Sequence, residues 1–133
     1  MQVLIDTSVW IDLFKDKTGH NKQVLELLTK DREIVLSRFT QLELLQGARD
    51  EREWQILQSY LEYQQYLEIS NRSWEKAARI YFQLRRNGKT VRSPIDCCLA
   101  QIAIQERALL LHRDQDFNVI AEASELQHQF VNW

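Results

Sequence analysis

The chain has 133 residues, of which 44% are hydrophobic and 27% charged, with a formal net charge of −2 at neutral pH. That length and apolar content suffice for one domain around a single core, and the balance excludes a disordered, fibrous or strongly basic nucleic-acid coat protein. No apolar run nears the roughly 20 residues of a membrane span, and Met1 leads into strand-like sequence without a signal-peptide core, so a cytoplasmic protein is expected. The only cysteines, Cys97 and Cys98, are neighbours. That excludes an unstrained bridge between them and matches neither a CxxC redox pair nor a zinc knuckle, so both are expected to be reduced core residues.

In chain order, Gln2 to Ile5 is a short β-rich run that stops at Asp6-Thr7-Ser8, a trio of turn and N-cap residues. Val9, Trp10, Leu13 and Phe14 then recur at helical spacing; Asp16 to Gly19 breaks the pattern, and Val24, Leu25, Leu27 and Leu28 mark a second helix. Glu33 to Ser37 is the next strand. Phe39 to Ala48 reads as a helix, a further helix carries Trp54, Ile56, Leu57, Tyr60 and Leu61, and Tyr66 to Ile69 alternates as a strand. Asn71 is positioned to cap the longest helix, which Asn87-Gly88 ends. Ser93-Pro94 opens a helix to about Arg107, Ala108 to Leu111 is a strand, Asp114 to Asp116 a turn, and Gln127 to Val131 a last strand. Alternating strands and helices predict an α/β fold, with a central parallel sheet covered by helices on both faces.

The informative feature is where the acids fall, because ligands of open α/β sheets gather outside the carboxyl ends of the strands. Asp6 follows the first strand directly; Asp114 and Asp116 follow Ala108 to Leu111; Asp96 lies in the first turn of the helix opened by Ser93-Pro94; Glu43 lies among Leu42, Leu44 and Leu45. Taken singly, Asp6 reads as an N-cap, Asp96 as half of a capping box, and Asp114 and Asp116 as turn residues. Glu43 borders an apolar face, with Gly47 one helical turn on to leave room beside it. One shared cause is more economical than separate ones. Carboxylates crowded at a strand-end rim repel one another, and a hard divalent cation, Mg²⁺ or alternatively Mn²⁺, is the natural remedy. Such a site suits attack of a metal-activated water on a phosphodiester.

These residues resemble the PIN-domain ribonucleases, and among them the VapC toxins of bacterial toxin-antitoxin pairs. Val3 to Ile11 is similar to the family's opening strand and first acid, with Thr7 and Ser8 in the hydroxyl positions that orient it. Leu42-Glu43-Leu44-Leu45-Gln46-Gly47 resembles the E-L-x-x-G acid, Ser93 to Ala100 the third motif, and Arg113-Asp114-Gln115-Asp116-Phe117 the fourth. The resemblance implies a three-layer α/β/α PIN domain over residues 1–133 and a metal-dependent endoribonuclease acting on a structured RNA such as tRNA or rRNA. It also implies a homodimer silenced by a VapB-like antitoxin. By carry-over Asp6, Glu43, Asp96 and Asp114 form the acidic metal site, with Asp116 a further or substitute acid and with Asp6 and Asp96 the direct ligands. His112 stands where the family more often carries Thr or Ser.

Outside the acids, Arg85, Arg86, Lys89 and Arg92 flank Gly88, either as an RNA phosphate patch or as solvated charges at a helix end. Trp10, Leu13 and Phe14 read as core, with partner binding the alternative for part of the stripe. His20, His112 and His128 are too scattered for a zinc site or a paired acid and base and read as surface or incidental positions, with His112 alone close enough in sequence to the acids to influence them. A haloacid-dehalogenase or receiver-like phosphoryl-transfer domain fits less well, since Ser8 stands where the former needs a second Asp and no Lys follows the Ala108 to Leu111 strand as the latter needs. The alternative from another class is a noncatalytic PIN-like scaffold that binds RNA or protein without cutting.

Overall fold

The computed structural model describes residues 1–133. Its strands are β1 (Gln2–Ile5), β2 (Glu33–Ser37), β3 (Tyr66–Leu67), β4 (Leu109–His112) and β5 (His128–Phe130). They form one five-stranded sheet in the order β3-β2-β1-β4-β5, parallel at every pairing. The helices are α1 (Thr7–Lys15), α2 (His20–Leu28), α3 (Arg38–Gln46), α4 (Glu51–Glu62), α5 (Asn71–Arg86), α6 (Pro94–Glu106) and α7 (Gln115–Glu122).

Alternation along the central strands sorts two cores onto the two faces of the sheet. Val3, Ile5, Leu36 and Leu111 point into a cluster with Val9 and Trp10 of α1, Leu25 of α2, Leu44 of α3 and Leu61 of α4. Leu4, Val35 and Leu110 point the other way, into Ala77, Ile80 and Leu84 of α5, Cys97, Leu99 and Ile102 of α6, and Phe117 and Ile120 of α7. Strands apolar on both faces are what a doubly covered parallel sheet requires, and each fully buried large side chain contributes about 1.5–3 kcal/mol. The α/β/α architecture expected from the alternation of elements is therefore the observed one. Cys97 and Cys98 are free and buried, as expected.

Three local expectations are corrected. Gln115–Glu122 form α7, whose N-cap is Asp114, its carboxylate accepting the Asp116 N–H at 2.9 Å, where only a turn was expected. The signals were an Asp cap and buried Phe117 and Ile120 three residues apart, but an eight-residue helix that opens inside a polar turn shows little periodicity. The cap of α5 is Ser70 rather than Asn71, without a side-chain capping bond, and β3 is limited to Tyr66–Leu67. Gly88 does end α5. Its φ of +74° allows the Gly88 N–H to reach the Arg85 carbonyl and the Lys89 N–H the Leu84 carbonyl, a Schellman closure that places the following basic loop.

Candidate active site

The site lies at the carboxyl ends of the two central strands, which the register brings level: Ile5 of β1 pairs with Leu111 of β4, and the Asp6 N–H donates to the Leu111 carbonyl at 2.9 Å. Asp6 therefore leaves β1 beside the point where His112, Arg113 and Asp114 leave β4. Asp6 is the N-cap of α1, and its charge also reaches Asp96. Its carboxylate accepts the Ser8 N–H at 3.1 Å and the Ser8 hydroxyl at 2.5 Å, while Ser8 Oγ in turn accepts the Arg113 N–H at 2.9 Å. Burial raises the Asp6 pKa, the Ser8 bonds oppose that rise, and the Glu43 charge adds to it.

Ser8 thus acts as the bracket that ties the Asp6 carboxylate to the β4 edge. Replacing Ser8 with Ala should raise the Asp6 pKa further and cost about 1.5–3 kcal/mol of stability, the usual loss for a hydrogen bond to a charged group. A carbon-13 titration of the Asp6 carboxyl and a denaturant melt would check both; an unmoved titration would refute the bracket.

The Thr7 hydroxyl does not orient Asp6. Its hydroxyl donates to Glu43 Oε1 at 2.9 Å and lies 3.0 Å from Thr40 Oγ1, so the two hydroxyl positions after the first acid serve different carboxylates. That contact draws Glu43, on α3, toward α1. Gly47 is not needed to make room: a Cβ there would meet only backbone carbonyls of Glu43 and Leu44, at 3.5 and 3.6 Å.

Asp96 sits in the first turn of α6. The N-cap duty there belongs to Ser93, whose Oγ accepts the Ile95 N–H at 3.1 Å, so the Asp96 carboxylate is not spent on a capping box. With Asp114 and Asp116 it forms a tight group whose carboxylates offer oxygens within 4.8 Å of one another. Burial first, then the charges of Asp6, Asp114, Asp116 and Glu43, push Asp96 up to about 7. All five acids singled out in the sequence therefore act on one locus. Within it the tight trio contains Asp116, expected only as a further or substitute acid, whereas Asp6 and Glu43 lie outside the trio and reach it through their field. An all-oxygen donor set in which burial and then like charges raise a carboxyl to about 7 fits a hard divalent cation.

The sequence reading missed two cationic features. Arg92 donates from its backbone N–H (3.0 Å) and Nε (3.2 Å) to Asp116 Oδ2, and from a terminal nitrogen to Asp114 Oδ2 (2.5 Å). Lys89 pairs with Glu122, leaving Arg85 and Arg86 as the exposed cations at the end of α5. Arg113 pairs with Asp12 at 2.6 Å, donates to the Val131 carbonyl and lies over the Phe130 and Trp133 rings, which fastens the C-terminal residues to α1 beside the site.

His112 and His128 are also placed differently from expectation. His112 is fully buried, stacked on His128 and packed against Phe117 and Phe130, with its Nε2 2.9 Å from His128 Nδ1. Because His112 Nδ1 accepts the Asp114 N–H at 3.2 Å, its proton resides on Nε2, which donates to His128. Burial, with a smaller push from His128, lowers the His112 pKa to about 4. His112 is thus a neutral prop beneath the Asp114 corner, with His128 stacked against it.

Residues 3–123 match the PIN domain model. The chain belongs to the PIN-domain family. Its relatives include a VapC ribonuclease of Mycobacterium bovis and ribonuclease VapC11 of Mycobacterium tuberculosis, each 36% identical over 94% of this chain and 96% of the relative, which places it on the VapC branch. Among solved structures this PIN-domain chain superposes on the VapBC-1 structure of nontypeable Haemophilus influenzae with a TM-score of 0.79, at 22% identity over 97% of each chain. It superposes on Mycobacterium tuberculosis VapC20, described as a sarcin-ricin loop cleaving toxin, with a TM-score of 0.66, at 19% identity over 94% of this chain and 98% of that one. These structures share the fold of this PIN-domain chain.

Proposed function

We propose that this chain is a divalent-metal-dependent endoribonuclease and the toxin of a VapBC-type pair, acting on a structured RNA such as tRNA or rRNA. The observation that carries this reading is the convergence of Asp6, Glu43, Asp96, Asp114 and Asp116 on one strand-end locus, in a chain whose relatives are ribonucleases. Asp96, Asp114 and Asp116 would hold the cation, Mg²⁺ or Mn²⁺, with Asp6 beside them as a further ligand. A cation there supplies positive charge that polarises a phosphodiester oxygen and acidifies a water. Asp6, bracketed by Ser8, keeps its carboxylate aimed at that locus, and Glu43, held by Thr7, is the acid placed to take a proton from the attacking water or to act in a second cation's field. Arg85 and Arg86, exposed in the last turn of α5, would be the cations offered to RNA phosphates.

The partner reading rests on the α1–α4 face. Trp10 is buried, whereas Phe14 and Tyr60, in ring contact with it and with each other, are 46% and 42% exposed. The stripe read from the sequence thus divides into core and rim. Its rim offers an apolar surface for a VapB-like antitoxin segment, and structures described as VapBC are among those that share this fold. A homodimer belongs to the same reading. No helix is long and apolar enough to cross a membrane.

The test is incubation of antitoxin-free protein with total bacterial RNA and Mg²⁺ or Mn²⁺, beside EDTA and Asp6→Asn controls, with new ends mapped by sequencing. Discrete cuts that need metal and vanish with Asp6→Asn are expected. Folded protein that binds RNA but never cuts it, unaffected by Asp6→Asn, would leave the noncatalytic scaffold instead.

A further inference from the structure

Arg92 stands in the position a metal ion would dispute. Its guanidinium bonds to Asp114 Oδ2 and Asp116 Oδ2, two of the three carboxylates of the tight group. The remaining oxygen of Asp114, Oδ1, is occupied in capping α7 through the Asp116 N–H. A cation drawing on Asp114 Oδ2 must therefore share that oxygen with a positive guanidinium or displace it. Displacement is sterically easy, because the Arg92 side chain is 76% exposed while its Asp114 and Asp116 partners are only 19% and 17% exposed. The backbone bond from Arg92 N–H to Asp116 Oδ2 needs no side chain, so the loop keeps its anchor when the guanidinium leaves.

We propose that Arg92 is a tethered counterion: it neutralises the Asp114–Asp116 corner in the metal-free protein and surrenders it to a divalent cation. Resting on the metal-site reading above, this makes metal entry a cation exchange. Without Arg92 the acids face one another uncompensated, which costs the metal-free fold stability but leaves the corner more attractive to an incoming ion. The guanidinium is available to an RNA phosphate only after the exchange, so the expectation of Arg92 as a phosphate contact becomes conditional on metal.

The experiment compares wild type, Arg92→Gln, Arg92→Lys and Asp96→Asn by titrating MnCl₂ calorimetrically into metal-free protein and by thermal melts in EDTA and in Mn²⁺. Arg92→Gln keeps the backbone anchor and loses the charge. It should melt lower than wild type in EDTA, bind Mn²⁺ about tenfold more tightly, as loss of one close like charge near the surface implies, and gain more from Mn²⁺ in the melt. Arg92→Lys, which keeps the charge, should bind Mn²⁺ within a few-fold of wild type. An Arg92→Gln protein that binds Mn²⁺ no more tightly, or more weakly, while Asp96→Asn abolishes binding, overturns the exchange and leaves the metal site standing. If wild type and Arg92→Gln both fail to bind Mn²⁺, the metal-site reading falls and the exchange with it.

Discussion

Asp96→Asn is expected to slow RNA hydrolysis by at least about a hundredfold, the scale of losing a positioned acid–base or ligand group, while making the metal-free protein more stable at pH 8. The two effects share a cause. Asp96 is partly buried and held among four other acids, so first burial and then those charges raise its pKa from 3.8 to about 7, and its ionised form is a cost to the fold. The native state binds this proton more tightly than the unfolded chain does. Stability from this group is therefore full below about pH 4, declines as pH rises from about 4 to 7, and stays low above. Asn removes the charge at every pH, so its advantage should be absent at pH 4 and full at pH 8, at about 1–2 kcal/mol after screening of a partly exposed carboxylate. Added Mn²⁺ should reverse the ranking, because wild type gains binding free energy that the variant lacks. Urea denaturation at pH 4, 6 and 8, with EDTA and with Mn²⁺, reads all of this; an Asn variant less stable than wild type at pH 8 in EDTA would show that Asp96 is a structural acid.

His112 supplies the opposite pH dependence. Its pKa falls from 6.5 to about 4 because the ring is buried against Phe117, Phe130 and His128, so the unfolded chain binds the proton first. Its contribution is intact above about pH 6.5 and is lost as pH falls toward 4, for a total of about 3 kcal/mol, a large share of a typical small domain's stability. Across that window it opposes the Asp96 contribution, so the wild-type curve is flatter than either alone. Asp96→Asn should expose the acid-side loss as a steeper fall below pH 6.5. Adding His112→Asn should flatten it again, since Asn still offers an oxygen to the Asp114 N–H but does not titrate. If the double variant loses stability between pH 6.5 and 4 as steeply as Asp96→Asn alone, another group drives the acid transition.

Much of this molecule is legible in the residues themselves. Apolar runs and helical spacing report local burial, which is why β1, β2, β4, β5 and six of the seven helices stand where the pattern puts them. Asp6, Asp96, Asp114 and Asp116 each read singly as a cap or turn residue, and they stand out only together, at the strand ends and helix starts where an open parallel sheet gathers its ligands. Tertiary structure decided what depends on distance across the fold. The pairing of Ile5 with Leu111 brings Asp6 to the β4 corner, the Thr7–Glu43 bond joins helices 36 residues apart in sequence, and Arg92 closes on acids 22 and 24 residues beyond it. The burial of His112, the division of the Trp10–Phe14 stripe into core and rim, and the membership of Asp116 in the tight group have the same origin. Residue type and spacing encode which face of an element is apolar; which elements become neighbours, and hence which charges meet, follows only from the strand order and the packing of helices on each side of the sheet.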